Sequence, residues 1–411
     1  DVALRFANEV LAVRPDDTDM LLKLAQVFRV TGRLDEAQAA AKKAIRPSSN
    51  DAQPLVELAQ INELQGRPDL ALDSYMQAAG LQPGAAEHYL AASRLLANQG
   101  RFDEAEALLK SGQIRAVRPD VLTVALHDLL MARGDAPTAL ASLNQALQAR
   151  GPQLDLLLAL AAHYDTVGQP AEAQQQYDRA LELFSYSADV HLALANRVLR
   201  TGAGGSALYY GRLAHLLARA DPQPLLTLGR AYGQANQVDE AAGVYSRTLA
   251  LEPTLVDAYL DLGALYQERG KVSEARALYE RGLAAVPYSG ELLGRYTALL
   301  ADQGEDQQAA TLVDQAVGQT PSVATLLAKA AMHTKLGEPD QAIETLWAAV
   351  EKEQASVDAL LALGDVYALY HSAAAARDIY SRLIGLYPGL ADGYLRQGGL
   401  AESQGNVAEA R

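Results

Sequence analysis

Few side chains in this sequence could do chemistry, and they are scattered. Seven histidines (His88, His127, His163, His191, His215, His333 and His371) are spread over 411 residues that contain no cysteine. Without a thiol there is no thiolate nucleophile, no thiolate zinc site and no disulfide framework. A helical metal site places two histidines on one face, as in H-E-x-x-H, and that spacing does not occur. A phosphate-cradling G-x-x-x-x-G-K-S/T loop and a G-x-S-x-G nucleophile elbow are also missing. Adjacent carboxylates do occur, at Asp103-Glu104 and Asp239-Glu240. They fall where a helix begins, and the positive end of the helix dipole accounts for them. Gly202, Gly204 and Ala207 form one G-x-G-x-x-A string. As a dinucleotide fingerprint it would have to follow a β-strand, and the residues before Gly202 have a helical pattern. No catalytic residue, metal site or cofactor is therefore expected, and the chain is not expected to be an enzyme.

The element that must position every side chain is a beat of 34 residues. Strides of that length from Gly32 reach Gly66, Gly100, Gly134, Gly168, Gly202, Asn236, Gly270 and Gly304. A stride of 33 then gives Gly337, and two more of 34 give His371 and Gly405. Five residues after each stands an alanine: Ala37, Ala71, Ala105, Ala139, Ala173, Ala207, Ala241, Ala275, Ala309, Ala342, Ala376 and Ala410. A fixed period in this range marks a repeat array. The seven histidines occupy seven different phases of the beat, so they share no face.

With the glycine numbered slot 15, slots 4, 7 and 11 are mostly large and apolar, as at Tyr259, Leu262 and Tyr266. Spacings of three and four put them on one side of a helix. Slot 8 is small in ten of twelve repeats, which lets a second helix cross closely. Glycine at slot 15 ends the first helix because it takes a left-handed conformation cheaply. Alanine at slot 20 is where the second helix presses on the first. Slot 24 is often aromatic or aliphatic (Tyr75, Leu109, Tyr177, Tyr245, Tyr279, Tyr380), and proline at slot 32 (Pro15, Pro83, Pro253, Pro287, Pro321, Pro388) closes the second helix.

This pattern resembles the tetratricopeptide repeat along the whole chain: small at slot 8, alanine at slot 20, often small at slot 27 (Ala44, Ala78, Ala146, Ala180) and proline at slot 32. The resemblance implies an all-α, right-handed superhelical solenoid of antiparallel helix pairs whose first helices line a concave groove. It implies a protein-interaction scaffold and a groove built from slots 2, 5, 6, 9, 12 and 13. Slot 5 is Leu or Val in all but Gly294 among twelve repeats, and slot 6 is Ala at Ala91, Ala125, Ala159 and Ala193. The polar groups expected to meet a partner are Arg94, Asn98, Asp128, Asp165, Asn196, Arg200, Arg230, Gln234, Asp261 and Gln267. The carboxylate clamp of the family's chaperone-tail binders is absent, because slot 5 is aliphatic and slot 2 acidic. The slot 6 asparagine ladder of the O-linked N-acetylglucosamine transferases is absent too.

Residues 1–17 fit the second helix of a truncated repeat, with Ala3 at slot 20; 18–390 fit eleven repeats; 391–411 fit a truncated twelfth. The register begins and ends inside repeats, so a longer protein is expected. The chain is 49% hydrophobic and has a net charge of −15. That charge disfavours nucleic acid and anionic membrane surfaces as partners, since both need Lys and Arg. Protein partners are expected, with no direct membrane insertion. Long, alanine-rich, cysteine-free arrays of this kind are also similar to the periplasmic parts of bacterial exopolysaccharide export proteins of the cellulose type. On that resemblance polysaccharide synthase components would be partners, a β-barrel would follow, and the compartment would be the periplasm rather than the cytoplasm.

The beat falters in three places. His127 takes the small slot 8 and needs a hydrogen-bond partner. Repeat six carries Gly202, Gly204, Gly205 and Gly211, with glycine in the normally bulky slots 17 and 24. A hinge or bend is expected over 202–224, with Tyr209 and Tyr210 filling the gap. His371 replaces the turn glycine, and a poorly packed turn is expected there. The missing residue before Gly337 is expected in the loop near Pro321.

Overall fold

The computed structural model describes residues 5, 10, 12–46, 49–202, 204–287 and 289–405, and all of its regular elements are helices. Ala3, Ala410 and the second helix of the truncated last repeat lie outside the described residues, as does Ala203 in the repeat-six turn. The helices are α1 (Thr18–Val30), α2 (Leu34–Ala44), α3 (Gln53–Leu64), α4 (Pro68–Leu81), α5 (Ala86–Asn98), α6 (Phe102–Arg115), α7 (Pro119–Ala132) and α8 (Ala136–Arg150). Next come α9 (Leu154–Thr166), α10 (Pro170–Phe184), α11 (Ala188–Arg200), α12 (Gly204–Leu217), α13 (Pro222–Gln234), α14 (Val238–Leu251), α15 (Val256–Glu268) and α16 (Val272–Ala285). The last are α17 (Gly290–Asp302), α18 (Asp306–Gln319), α19 (Val323–Lys335), α20 (Pro339–Lys352), α21 (Val357–Val366), α22 (Ala373–Leu386) and α23 (Ala391–Ser403). Odd-numbered helices are the first helices of repeats and even-numbered ones the second.

The slot chemistry explains these bounds. Every turn glycine from Gly32 to Gly405 has φ between 67° and 78°, and Asn236 has φ 58°. Each therefore takes the left-handed conformation that side chains with a Cβ resist. The slot 20 alanines from Ala37 to Ala376 are all fully buried. In repeats seven, eight and eleven the slot 24 tyrosine packs directly against the slot 8 glycine. A Cβ on Gly229, Gly263 or Gly364 would overlap the rings of Tyr245, Tyr279 or Tyr380. Small at slot 8 is thus the space taken by slot 24. The loop before α19 has three residues, Thr320 to Ser322, where the loop before α15 has four, which places the lost residue near Pro321.

Two compact units divide the chain. The first comprises residues 1–142 and 300–411, the second residues 143–299. In the first unit, apolar clusters pass from one helix pair to the next, with Leu24, Ala41 and Ile61 in one and Tyr75, Leu95 and Ala105 in another. A larger one, around Leu346, Leu360 and Leu383, also takes in Phe102 and Ala132 from far earlier in the chain. Backbone bonds accompany that contact: Ala355 N–H donates to Asn98 C=O at 3.2 Å and Gly389 N–H donates to Ala132 C=O at 3.0 Å. Phe102 and Tyr387 meet edge to face at 5.1 Å.

His127 is buried, with its Nδ1 2.9 Å from Asp128 Oδ1. The histidine at slot 15 of repeat eleven avoids the left-handed turn altogether. Residues Tyr367–His371 form a π-helical turn instead, and Ser372 then caps α22 by accepting from Ala375 N–H at 3.2 Å. A widened turn takes up what a left-handed residue does elsewhere.

The second unit is built around clusters such as Leu157, Ala161, Tyr177 and Leu194. In its repeat six the space beside Gly204 and Gly211 is filled from the next repeat, where Tyr209 and Tyr210 were expected to fill it. A Cβ on Gly211 would sit 3.1 Å from the Leu228 side chain, and one on Gly204 would sit 3.4 Å from Gln234 Cβ. Tyr209 does not fill the gap, being 61% exposed, whereas Tyr210 packs on the Leu157–Leu194 cluster. Gly205 has open space beside it.

Candidate partner groove

Polar side chains along the first helices are held mainly by a neighbouring repeat. In the first unit, Arg29 Nε donates to Glu57 Oε1 at 2.6 Å. Arg94 Nη2 donates to Glu63 Oε2 at 2.6 Å, while the Arg94 side chain stays 59% exposed. The Asn98 carbonyl takes the Ala355 amide, and Asp128 is exposed beside His127. In the second unit, Asp165 lies 3.0 Å from Arg197 Nε and 3.7 Å from Arg200 Nη2. Asn196 Oδ1 accepts from the Thr227 hydroxyl at 3.3 Å, and Gln234 Nε2 donates to Leu199 C=O at 2.8 Å.

The slot 24 tyrosines reach through to this polar row. Tyr75 donates to Glu63 at 2.8 Å, Tyr177 to Asp165 at 3.3 Å and Tyr279 to Gln267 at 3.0 Å. Each pair is twelve residues apart, and that spacing was a findable signal. Burial and the facing carboxylate together push the Tyr75 and Tyr177 phenols upward, so they serve as fixed donors. The aliphatic stripe at slot 5 is half-buried, apart from Leu226 (1% exposed) and Leu395 (70% exposed).

A recess on this face lies in the second unit. It is about 520 Å³ and takes in Leu199 of α11, Arg230 and Gln234 of α13, Tyr245 of α14, and Asp261, Leu265 and Glu268 of α15. Arg230 spans two carboxylates, with Nε 2.7 Å from Asp261 Oδ2 and Nη2 3.1 Å from Asp257 Oδ2. Burial raises the Asp261 carboxyl from its ordinary range, and the Arg230 hydrogen bond opposes that rise. Burial and Asp261 raise the Tyr245 phenol. One guanidinium among Asp257, Asp261 and Glu268 leaves the recess acidic. It can accept a cationic side chain at its rim and an apolar one against Leu199 and Leu265.

Of the residues expected to meet a partner, the structure gathers Arg230, Gln234 and Asp261 in this recess. Asp165 and Arg200 form a separate pair, and Gln267 holds Tyr279. Tyr245 and Glu268 line the recess without having been anticipated. No group of three or more His, Asp or Glu able to hold a metal occurs among the described residues. No helix among them is long and apolar enough to cross a membrane.

A family model described as Tetratricopeptide repeat matches residues 1–52, 57–117, 226–290 and 325–391, more than half of the sequence. No curated protein matches. The crystal structure of yeast Tom70 is similar over 94% of this chain and 95% of its own, at 14% identity and a TM-score of 0.50. The APC/C hetero-tetramer Cut9-Hcn1 is similar over 93% of this chain and 96% of its own, at 14% identity and a TM-score of 0.36. At 14% identity the Tom70 likeness concerns the fold alone.

Proposed function

We propose that this chain, which belongs to the tetratricopeptide repeat family, is a non-catalytic protein-interaction scaffold that takes a basic, partly apolar segment of a protein partner along its first helices. The acidic recess around Arg230 carries this reading. A partner lysine or arginine would face Asp261 and Glu268, and an apolar neighbour would cover Leu199 and Leu265. The net charge of −15 would draw such a segment in. Inter-repeat bonds such as Arg230–Asp261 hold the surface ready, which lowers the ordering cost of association. The cysteine-free, alanine-rich composition supports a narrower reading, a periplasmic scaffold of an exopolysaccharide export machine. A run of alternating strands beyond Arg411 would support it.

The test is affinity capture from the source cells with the wild-type chain and with Asp257→Asn/Asp261→Asn/Glu268→Gln. Loss of a captured protein in the triple variant supports the reading, provided the melting temperature of the chain is kept. Retention of every partner overturns it.

A further inference from the structure

A second recess in the unit of residues 143–299 lies among second helices and has the opposite charge. It is about 650 Å³ and brings together Arg212, His215 and Arg219 of α12 and its C-terminal turn with Arg247 of α14. Leu216 and Leu251 lie between them, 57% and 48% exposed. No carboxylate lines it.

None of the three arginines has an ion pair among the described residues. Arg212 Nη2 donates to the Tyr232 hydroxyl at 3.0 Å, and Arg247 Nη2 lies 3.5 Å from His215 Nε2. Arg197, Arg200 and Arg230 on first helices of the same unit each lie within 3.7 Å of a carboxylate, while Arg179 and Arg281 on its second helices lie outside this recess; here three arginines without an ion pair meet in one recess. The chain has 50 acidic residues to 35 basic, so a shortage of acids does not explain the difference. His215 Nδ1 is buried without a hydrogen-bond partner. Burial, then Arg247 and Arg219, hold the His215 imidazole below its ordinary range, a second sign that positive charge here is uncompensated.

Gathering like charges in one recess is unfavourable until an anion arrives. A recess of this size holds more than an inorganic ion, and two exposed leucines give such an ion nothing to cover. We infer that this recess docks an acidic protein segment with apolar side chains, its carboxylates pairing with Arg212, Arg219 and Arg247 and a leucine-like side chain covering Leu216 and Leu251. Arginine forks favour carboxylates at such a site. The inference rests on the scaffold reading and adds a second seat with the opposite charge preference.

The test is a fluorescence-anisotropy titration of the whole chain at low ionic strength. The probe is a fluorescein-labelled peptide of repeating Glu-Leu-Glu-Glu-Leu, and the control has Gln for Glu. The Glu peptide is expected to bind saturably and the Gln peptide not to compete. Arg212→Gln/Arg219→Gln/Arg247→Gln should weaken binding about tenfold or more, while the matching Lys variants keep most of it. All three positions are exposed, so an unchanged melting curve separates lost binding from lost fold. Three outcomes overturn the inference: no saturable binding of the Glu peptide, equal binding by the Gln variant, or phosphatidylglycerol vesicles binding through the same arginines while the peptide does not. The two readings fail separately, because the groove carboxylate variant leaves the peptide titration unchanged, and the arginine variant still captures the partner that the carboxylate variant loses.

Discussion

The two recesses of the unit of residues 143–299 are built from the same repeats and use arginine in opposite ways. On the first helices Arg230 is held by Asp257 and Asp261 and so belongs to the scaffold. On the second helices Arg212, Arg219 and Arg247 line a recess without a carboxylate. A paired arginine holds neighbouring repeats in register, and removing it costs stability. An unpaired group costs a little stability by being present and repays it only when a ligand binds. Which arginines carry recognition is therefore decided by who answers them, and that is a property of the neighbouring repeat.

The comparison would break most readily at its packing. Gly229→Leu would drive a side chain into the Tyr245 ring that walls the acidic recess. We expect a loss of about 1–3 kcal/mol by chemical denaturation, with Glu-peptide binding to the basic recess retained until the chain unfolds. An unchanged stability would mean that the α13–α14 crossing tolerates a wide gap.

Next in size is Arg230→Ala, which leaves Asp257 and Asp261 facing each other. The arginine is 40% exposed, so the expected loss is only about 1 kcal/mol. A cycle with Asp261→Ala should return most of it as coupling energy. Zero coupling would remove the distinction between paired and unpaired arginines.

Repeat six supplies α12, the floor of the basic recess, and its glycines sharpen the contrast. Gly205 sits in a helix with open space around it, so Gly205→Ala should stabilise by about 0.5–1 kcal/mol. Hydrogen exchange over 204–224 should slow in that variant. Equal exchange in the two proteins would argue against a soft joint at Gly202, Gly204, Gly205 and Gly211.

Removing Arg212, Arg219 and Arg247 together should change stability by less than about 0.5 kcal/mol, or raise it slightly. A large loss would show that these arginines are structural after all. The smallest effect is a pH dependence. His215 is held below its ordinary value in the folded chain, so the unfolded chain takes up the proton first. Stability should therefore fall as pH drops through about 6.5. The triple arginine variant should show a shallower fall, because two of the charges that oppose protonation are gone.

Much of this architecture was legible because it is local. Glycine at slot 15 must turn left-handed, and all the turn glycines do. Alanine at slot 20 must fit a closed crossing, and none of those described is exposed. Where the local rule lacks its residue, the structure finds another geometry, as the π-helical turn at Tyr367–His371 shows. What was not legible depends on the following repeat. Arg230 meets carboxylates 27 and 31 residues ahead, and Gly211 is covered by Leu228. Nothing within one repeat indicates either contact. The basic recess was hidden for a similar reason. Its arginines fall at slots 25, 26 and 32, so no single slot shows a stripe of charge.

The most direct test of the scaffold reading is photo-crosslinking in the source cells. A benzophenone amino acid placed at Gln234, inside the acidic recess, would be compared with one at exposed Glu104 on α6. The account predicts an adduct from Gln234 to a protein whose contacted segment is rich in lysine or arginine, and its loss with Asp261→Asn/Glu268→Gln. Adducts from Glu104 alone, or a Gln234 adduct to an acidic segment, would contradict it.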